Sequence, residues 1–448
     1  MRILDARGAK GNLARLLDEH ARADYVYMYP PRQAYRRLAS SDLDRIVTGS
    51  LARPGPVNLY FHFPFCRQVC AFCNLYTTAG GSLDAHATYT DALLVELDAY
   101  GPLLAGRTVD TVYLGGGTPS SVHPREIRRV FDRLADLGLC DVAEVAEVAM
   151  EVAPDTATAE AMRAYRDIGV NRVNLGVQTV DPNELLLIGR RDTIDDHLRG
   201  LDNAQTTGFV NVCVDLIYGL DRQTDASWMR SVNAVVARLP ETVCCYPLTL
   251  RPATGLAARG FDPADNATLY RRYDVAHEKL TAAGYAQQTH VRWALPAGGY
   301  RQKANHWAGQ DIVGIGAGAR GYLRNGDYRN GYSVRRRTGA LRAWHDRVDT
   351  TGHGRDSGFI LDDDERRRRA VILGLGHLDR AAYAANHGAD PLDHFPNEFD
   401  ALADLGAVDI TSAVIVLTPL GQRHRDVVVQ PFFSDRVRGL VTDFDYDE

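Results

Sequence analysis

Lysine is almost missing from this chain. Of its 51 basic residues only Lys10, Lys279 and Lys303 are lysines. The bias toward arginine fits a GC-rich genome rather than a binding device. No apolar run approaches the ~20 residues that cross a bilayer. The start, Met1-Arg2-Ile3-Leu4-Asp5, lacks the apolar core of a signal peptide. Surplus positive charge is also missing: the net charge is −6, which argues against nucleic acid as a bulk partner. Seven cysteines in 448 residues are too few for a disulfide scaffold. Four of them, Cys140, Cys213, Cys244 and Cys245, sit in apolar or mixed stretches and read as buried thiols. These absences set the expectation of a cytoplasmic protein that works on a small molecule, with no membrane and no nucleic-acid partner. The remaining composition, 45% apolar and 24% charged, is ordinary for a globular protein of two or three domains.

The other three cysteines fall within eight residues, as Cys66-x3-Cys70-x2-Cys73. They follow an apolar run, Val57 to Phe63, that reads as a strand stopped by Pro64. Thiolates select zinc or iron–sulfur clusters. Structural zinc takes four protein ligands; Leu75 offers none and His62 lies on the strand. A [4Fe-4S] cluster held by three cysteines needs no fourth protein ligand and keeps one iron open. Spacing alone leaves cluster, zinc and buried thiols as the three readings.

From Val57 onward, strand-like runs alternate with helical stretches. The strands are 57–63, 109–114, 147–152, 172–177, 210–217 and 243–250. The helices lie near 84–100, 124–137, 156–168, 194–207, 225–238 and 266–283. Six βα units with apolar strands predict a parallel sheet curled into a partial (β/α)6 barrel; a full barrel needs two more. Barrel sites are built at the C-terminal ends of strands. There this chain places the cysteine loop, then Gly115-Gly116-Gly117-Thr118-Pro119, Glu151, Gln178, Asp215 and Thr249. One polar strand end is ordinarily a turn former. Polar or glycine-rich ends on all six, beside three thiols, point to one shared site.

The stretch Tyr60-x-His62-x-Pro64-Phe65-Cys66 with its three cysteines resembles the radical S-adenosylmethionine (SAM) superfamily, and more narrowly the oxygen-independent coproporphyrinogen III oxidase group. The Gly-Gly-Gly-Thr-Pro turn, Asn174 to Thr179, Arg190, Asp215 and the segment Ile312 to Gly321 extend the resemblance to roughly residues 55–435. It implies that Cys66, Cys70 and Cys73 hold a [4Fe-4S] cluster, reduced by a flavodoxin or ferredoxin. SAM bound there would yield a 5′-deoxyadenosyl radical. The resemblance assigns Tyr60, Gly116 and Glu151 to that SAM, with Gly318 approaching through its backbone. It assigns Phe72, Gly117, Thr118, Gln178, Arg190, Asp215 and Thr249 to a second SAM. The implied fold is α/β: an N-terminal arm over residues 1–55, the partial barrel with its Gly-rich extension over 56–350, and a small helical or winged-helix-like C-terminal domain over 351–448.

Two departures separate the chain from the best-known members. Leu75 stands where coproporphyrinogen oxidases place a fourth cysteine, and Gln302-Lys303-Ala304-Asn305-His306-Trp307 lacks the His-Asn pair of the haem chaperones. What remains resembles the class C radical SAM methyltransferases and cyclopropane-forming enzymes. That branch implies transfer from the second SAM to an sp2 carbon of a small aromatic substrate. The alternatives are oxidative decarboxylation of coproporphyrinogen III and haem carriage without turnover, with His306 as ligand or as a packed core residue. Three further segments carry expectations. Tyr25 to Pro31 reads as an extended arm, with Tyr29, Arg32 or Tyr35 near substrate. Gly326 to Arg337 reads as a loop or lid, and Asp362 to Arg369 as an ordinary solvated helix.

Overall fold

The computed structural model describes residues 10–252, 254–331 and 337–444. Six parallel strands form as the alternation predicts: β1 (Val57–Phe63), β2 (Val109–Gly116), β3 (Glu147–Val152), β4 (Arg172–Gln178), β5 (Asn211–Tyr218) and β6 (Thr242–Pro247). Their residues are buried on both faces, as parallel strands covered by helices must be. The helices are α1 (Leu83–Leu104), α2 (Pro124–Asp136), α3 (Ala159–Asp167), α4 (Pro182–Leu187), α5 (Ile194–Thr207), α6 (Asp225–Val236) and α7 (Asn266–Ala282). Their starts are chemically marked. Thr193 and Thr224 each close a capping box, which satisfies amides that the first helical turn leaves unpaired.

The sheet runs past the six expected strands. At one end β6 pairs antiparallel with β8 (Arg292–Ala294), and β8 with β7 (Ala286–Thr289). At the other end β9 (Asp311–Ile315) adds in parallel beside β1, with Asp311 opposite Val57. Antiparallel strands β10 (Arg320–Leu323), β11 (Gly326–Asn330) and β12 (Arg355–Ile360) follow, and Arg36–Arg37 pairs on the outside. The sheet stays open, its edges being β7 and Arg36–Arg37. The partial barrel thus has seven parallel strands. The seventh comes from the Gly-rich segment, whose partner β1 lies some 250 residues earlier in the chain.

Two expectations need correction. Gly326 to Asn330 is not a loop but strand β11, because it pairs on both sides; residues 332–336 lie outside the described residues. The basic run after Asp362 is not simply a solvated face. Arg369 donates to Tyr29 O, Leu323 O and the Asp327 carboxylate, tying the C-terminal unit to the arm and the sheet.

That unit follows β12 and begins with helix Asp363–Gly374. It continues through helices Arg380–His387 and Pro396–Asp404 and a three-stranded antiparallel sheet, a winged-helix-like arrangement. Its core is shared with the arm: Val26, Met28 and Tyr29 pack with Val371, Phe399 and Val427.

Glu96 of α1 fixes the Gly-rich extension. It is fully buried, and its carboxylate accepts from Gly316 N, Gly354 N and Asn330 Nδ2, each at 2.8 Å. Glu96→Ala leaves the buried Gly316 and Gly354 amides unpaired, each worth about 1–3 kcal/mol, and takes one of the two acceptors of Asn330 Nδ2. The expected result is a loss of at least about 2 kcal/mol in urea melts, with Val95→Ala on the exposed side of α1 far milder.

Candidate active site

The cysteine loop is pinned at both ends and in the middle. Phe65–Cys66 bridges to Thr78–Ala79, Ala71 N donates to Ile188 O at 2.8 Å, and Leu256 N donates to Ala71 O at 2.8 Å. None of the three cysteines is in a disulfide; Cys66 is buried, and Cys70 and Cys73 are half-buried. Thr118 Oγ1 donates to Cys66 Sγ at 3.4 Å, and the buried Arg190 guanidinium sets its charge beside Cys70. His62 is already committed: Nε2 lies 2.8 Å from Tyr76 O and Nδ1 3.2 Å from Tyr60 OH, and burial pushes its pKa down to about 4. It is therefore no fourth ligand for zinc, and Leu75 has no ligand atom. The residues fit a [4Fe-4S] cluster on three thiolates with one iron open.

Beside the loop, the Gly-rich turn brings backbone close to side chains. Gly116 holds φ +113°, and a Cβ there would lie 2.6 Å from the His62 ring. Gly116 N donates to Glu151 Oε2 at 3.0 Å, and Tyr113 OH donates to Oε1 at 3.1 Å. Burial nevertheless pushes Glu151 up to about 7. Gly318, with φ +79°, comes so close to Tyr76 that a Cβ would meet it at 2.8 Å. Tyr60, His62, Glu151 and Gly318 together line a cavity of about 240 Å³. Gly117 and Thr118 sit apart from it, donating their amides to Phe63 O and Phe65 O.

A larger cavity of about 450 Å³ adjoins it, and Glu151 lines both. Phe72, Gln178, Asp215 and Thr249 line this second space. Gln178 has φ +68°, an uncommon conformation for a residue with a Cβ and a mark of strain at a strand end. Asn174 Nδ2 donates to Asp215 Oδ2 at 2.6 Å, and burial pushes Asp215 up to about 6. Thr249 lies two residues past the end of β6 at Pro247 rather than on the strand. Arg190 is not in the wall of this cavity. It is buried against the cysteine loop, donating to Gly176 O at 2.6 Å as well as meeting Cys70.

The lid of the larger cavity is the arm: Tyr25, Tyr27, Met28 and Arg32 line it. Val26 N donates to Asp426 Oδ1 and Tyr29 OH to Glu365 Oε2, so the arm is clamped from behind by the C-terminal unit. Tyr29 and Tyr35 therefore face away from the cavity, into buried polar contacts with Glu365 and Asp327.

Two wall residues escaped the sequence reading. Lys303 donates to Tyr27 O at 3.1 Å and lies within 6 Å of the ring centres of Tyr25, Tyr27 and Trp307; burial holds its pKa well below the usual lysine value. Arg320 donates to Tyr27 OH at 2.8 Å. A lysine retained in a chain with only three was the available signal. His306 packs on Tyr322 at 4.7 Å between ring centres, and burial keeps it neutral.

The radical SAM superfamily pattern matches residues 60–235. Heme chaperone HemW of Mycobacterium tuberculosis is 33% identical over 282 residues, which cover 61% of this chain and 72% of the relative. The chain belongs to the radical SAM family of HemW and its coproporphyrinogen oxidase relatives. Oxygen-independent coproporphyrinogen III oxidase of Salmonella typhimurium is 28% identical over 82% of this chain and 83% of that protein. Coproporphyrinogen III oxidase (HemN) from Escherichia coli superposes with a TM-score of 0.77 at 24% identity, covering 91% of this chain and 96% of that one, and so shares the fold. The family implies a [4Fe-4S] cluster and SAM, which the cysteine loop and the smaller cavity fit. The expected class C methyltransferase and cyclopropane-forming character finds no support in these relatives, whose names are those of haem chaperones and coproporphyrinogen oxidases. Among the described residues no helix is long and apolar enough to cross a membrane.

Proposed function

We propose that this chain is a radical SAM enzyme that oxidises a carboxylate-bearing ring substrate beneath the N-terminal arm. One observation carries the reading: the wall of the larger cavity is cationic and aromatic. Arg32, Arg251, Arg292, Lys303 and Arg320 face it against Glu151 and Asp215. Arg251 is paired with Asp24; Lys303 donates to Tyr27 O, and Arg320 to Tyr27 OH and Met28 Sδ on the arm. Such a wall selects planar anions.

With the [4Fe-4S] cluster on Cys66, Cys70 and Cys73, bound SAM supplies a 5′-deoxyadenosyl radical for hydrogen abstraction. The chain's own residues do the rest. Ionised Glu151 accepts hydrogen bonds from the SAM, and Gly116 and Gly318 let backbone close on it. The arm keeps water from the reacting carbon, as closed sites do. Lys303 and Arg320 orient the substrate carboxylate. Coproporphyrinogen-type oxidative decarboxylation is the outcome that the related oxidases favour.

Methyl transfer from a second SAM is the runner-up. The favouring observation is that Phe72, Gln178, Asp215 and Thr249 share a space of about 450 Å³, toward the small end of the usual 300–1,000 Å³ range of ligand pockets. One anaerobic assay separates the readings. Reconstituted, reduced protein is given SAM with a deuterated methyl group, together with coproporphyrinogen III. Release of CO2 with unlabelled 5′-deoxyadenosine supports decarboxylation. Label in 5′-deoxyadenosine, with S-adenosylhomocysteine formed, supports the second SAM. A stoichiometric Soret band with hemin and no SAM cleavage contradicts both and favours a carrier. An electron donor of the flavodoxin or ferredoxin type is part of this proposal.

A further inference from the structure

We propose that the floor of the larger cavity is a second metal site, in which Cys213, Asp215 and Cys244 bind one thiophilic divalent cation of the zinc class. Cys213 and Asp215 stand two apart on β5 and so project to the same face of the sheet. Cys244 on β6 lies opposite Asp215 in the strand register. The three donor atoms all lie within 4.8 Å of one another. Cys213 Sγ and Cys244 Sγ are 3.8 Å apart. Zinc–sulfur bonds of about 2.3 Å at a tetrahedral angle place two sulfurs about 3.8 Å apart. The third donor is waiting: Asn174 takes Asp215 Oδ2, while Oδ1 is buried without a hydrogen-bond partner.

Buried cysteines often act only as small apolar fillers. Cys245 does so, packed into the main core; Cys213 and Cys244 belong to no apolar cluster. They share the barrel lumen with polar groups instead. Arg172, only 1% exposed, has Nη1 and Nη2 unpartnered and its charge near Cys213. Arg172 also faces the buried Glu147 carboxylate, with Nε 3.7 Å from Oε2, so the two thiolates and the Asp215 carboxylate are left as a net negative cluster that a divalent cation offsets. On binding, two metal–sulfur bonds and one metal–oxygen bond form, water ligands leave, and the thiol protons pass to solvent. No electrons change hands. The fourth coordination position faces the cavity that Asp215 and Cys244 line, where a substrate carboxylate or a water fits.

Neither the cluster nor SAM takes part in this site, and the titration uses neither. The probe is cobalt(II), titrated anaerobically into the full chain carrying Cys66→Ser, Cys70→Ser and Cys73→Ser, so that loop thiols do not compete. The expected result is one cobalt per chain, with a thiolate charge-transfer band and the strong visible bands of tetrahedral cobalt, both displaced by zinc. In this background Cys213→Ser and Cys244→Ser should each weaken binding at least about 10-fold, and Asp215→Asn similarly. Cys245→Ser, its neighbour in the same strand, should leave the titration unchanged. Circular dichroism melts of each variant check that the fold is kept. No saturable band, a band that survives Cys244→Ser, or a Cys213–Cys244 disulfide in freshly isolated protein overturns the proposal.

Discussion

Cys70→Ser should abolish iron–sulfur loading and lower 5′-deoxyadenosine formation at least about 10³-fold, as loss of one member of a group that acts as a unit does. The geometry explains why neither neighbours nor other thiols compensate. His62 has both ring nitrogens engaged, and residue 75 is leucine. Cys140, Cys213, Cys244 and Cys245 lie on other segments, and Ala71 is held on both sides by Ile188 and Leu256, so the loop has no slack to recruit them. Cys140→Ser, on a half-buried thiol elsewhere in the chain, should change neither readout. Iron content, acid-labile sulfide and 5′-deoxyadenosine measured on both variants check the prediction. Full iron loading of Cys70→Ser would sink the assignment of the loop.

Glu151→Gln should show the second large effect, and its signature is the pH profile. Burial raises the carboxyl from its ordinary 4.5 to about 7 in the protein without ligand. Ionised Glu151 accepts from an ammonium or ribose hydroxyl, whereas the protonated form has lost most of that capacity. SAM affinity of the native protein should therefore rise about tenfold per pH unit up to pH 7 and level off above it. Glu151→Gln should bind SAM about 10- to 100-fold more weakly at pH 8, as loss of a charged hydrogen bond of about 1.5–3 kcal/mol requires, and with a flat profile.

The sign for folding is opposite. A carboxyl whose folded pKa is raised keeps its proton longer in the folded state. Its burial is harmless below the unfolded pKa and costs stability as pH rises from 4.5 toward 7. Glu151→Gln should then be more stable than native protein at pH 8, by up to about 3 kcal/mol. Weaker binding with greater stability marks a site residue; loss of both marks a structural one. Isothermal titration and urea melts across this pH range supply the two readouts.

Legibility followed the reach of each interaction. The six βα units were readable because apolar strands and capped helices are local signals, and helix 194–207 has the predicted limits because Thr193 and Asp196 form its capping box. Polar strand ends marked Glu151, Gln178 and Asp215, since barrel topology gathers such ends in one place. Strand β9 was not readable as a seventh parallel strand, because nothing in Asp311 to Ile315 names Val57 as its partner. Gly326 to Asn330 read as a loop on its Asn, Tyr and Arg content, yet pairing on both sides overrides that preference.

Arg190 was marked by its motif, and its position beside the cysteine loop, with Nη1 donating to Gly176 O, depends on the fold of β4 rather than on sequence spacing. The arm was visible as a Tyr-rich segment. Which tyrosines face inward depended on Asp426 and Glu365, some 400 and 336 residues away in the chain. Lys303 and Arg320 gained their meaning only when the arm's Tyr27 was seen to meet both.

What separates this chain from a haem carrier is turnover of SAM. Its most direct test is 5′-deoxyadenosine measured by mass spectrometry from reconstituted, reduced native protein given SAM without oxygen. Multiple equivalents per chain are expected, none from Cys70→Ser, with a further rise when a carboxylate-bearing ring substrate fills the cavity. Native protein that loads its cluster and binds SAM, yet releases no 5′-deoxyadenosine while taking up one hemin per chain, would contradict it.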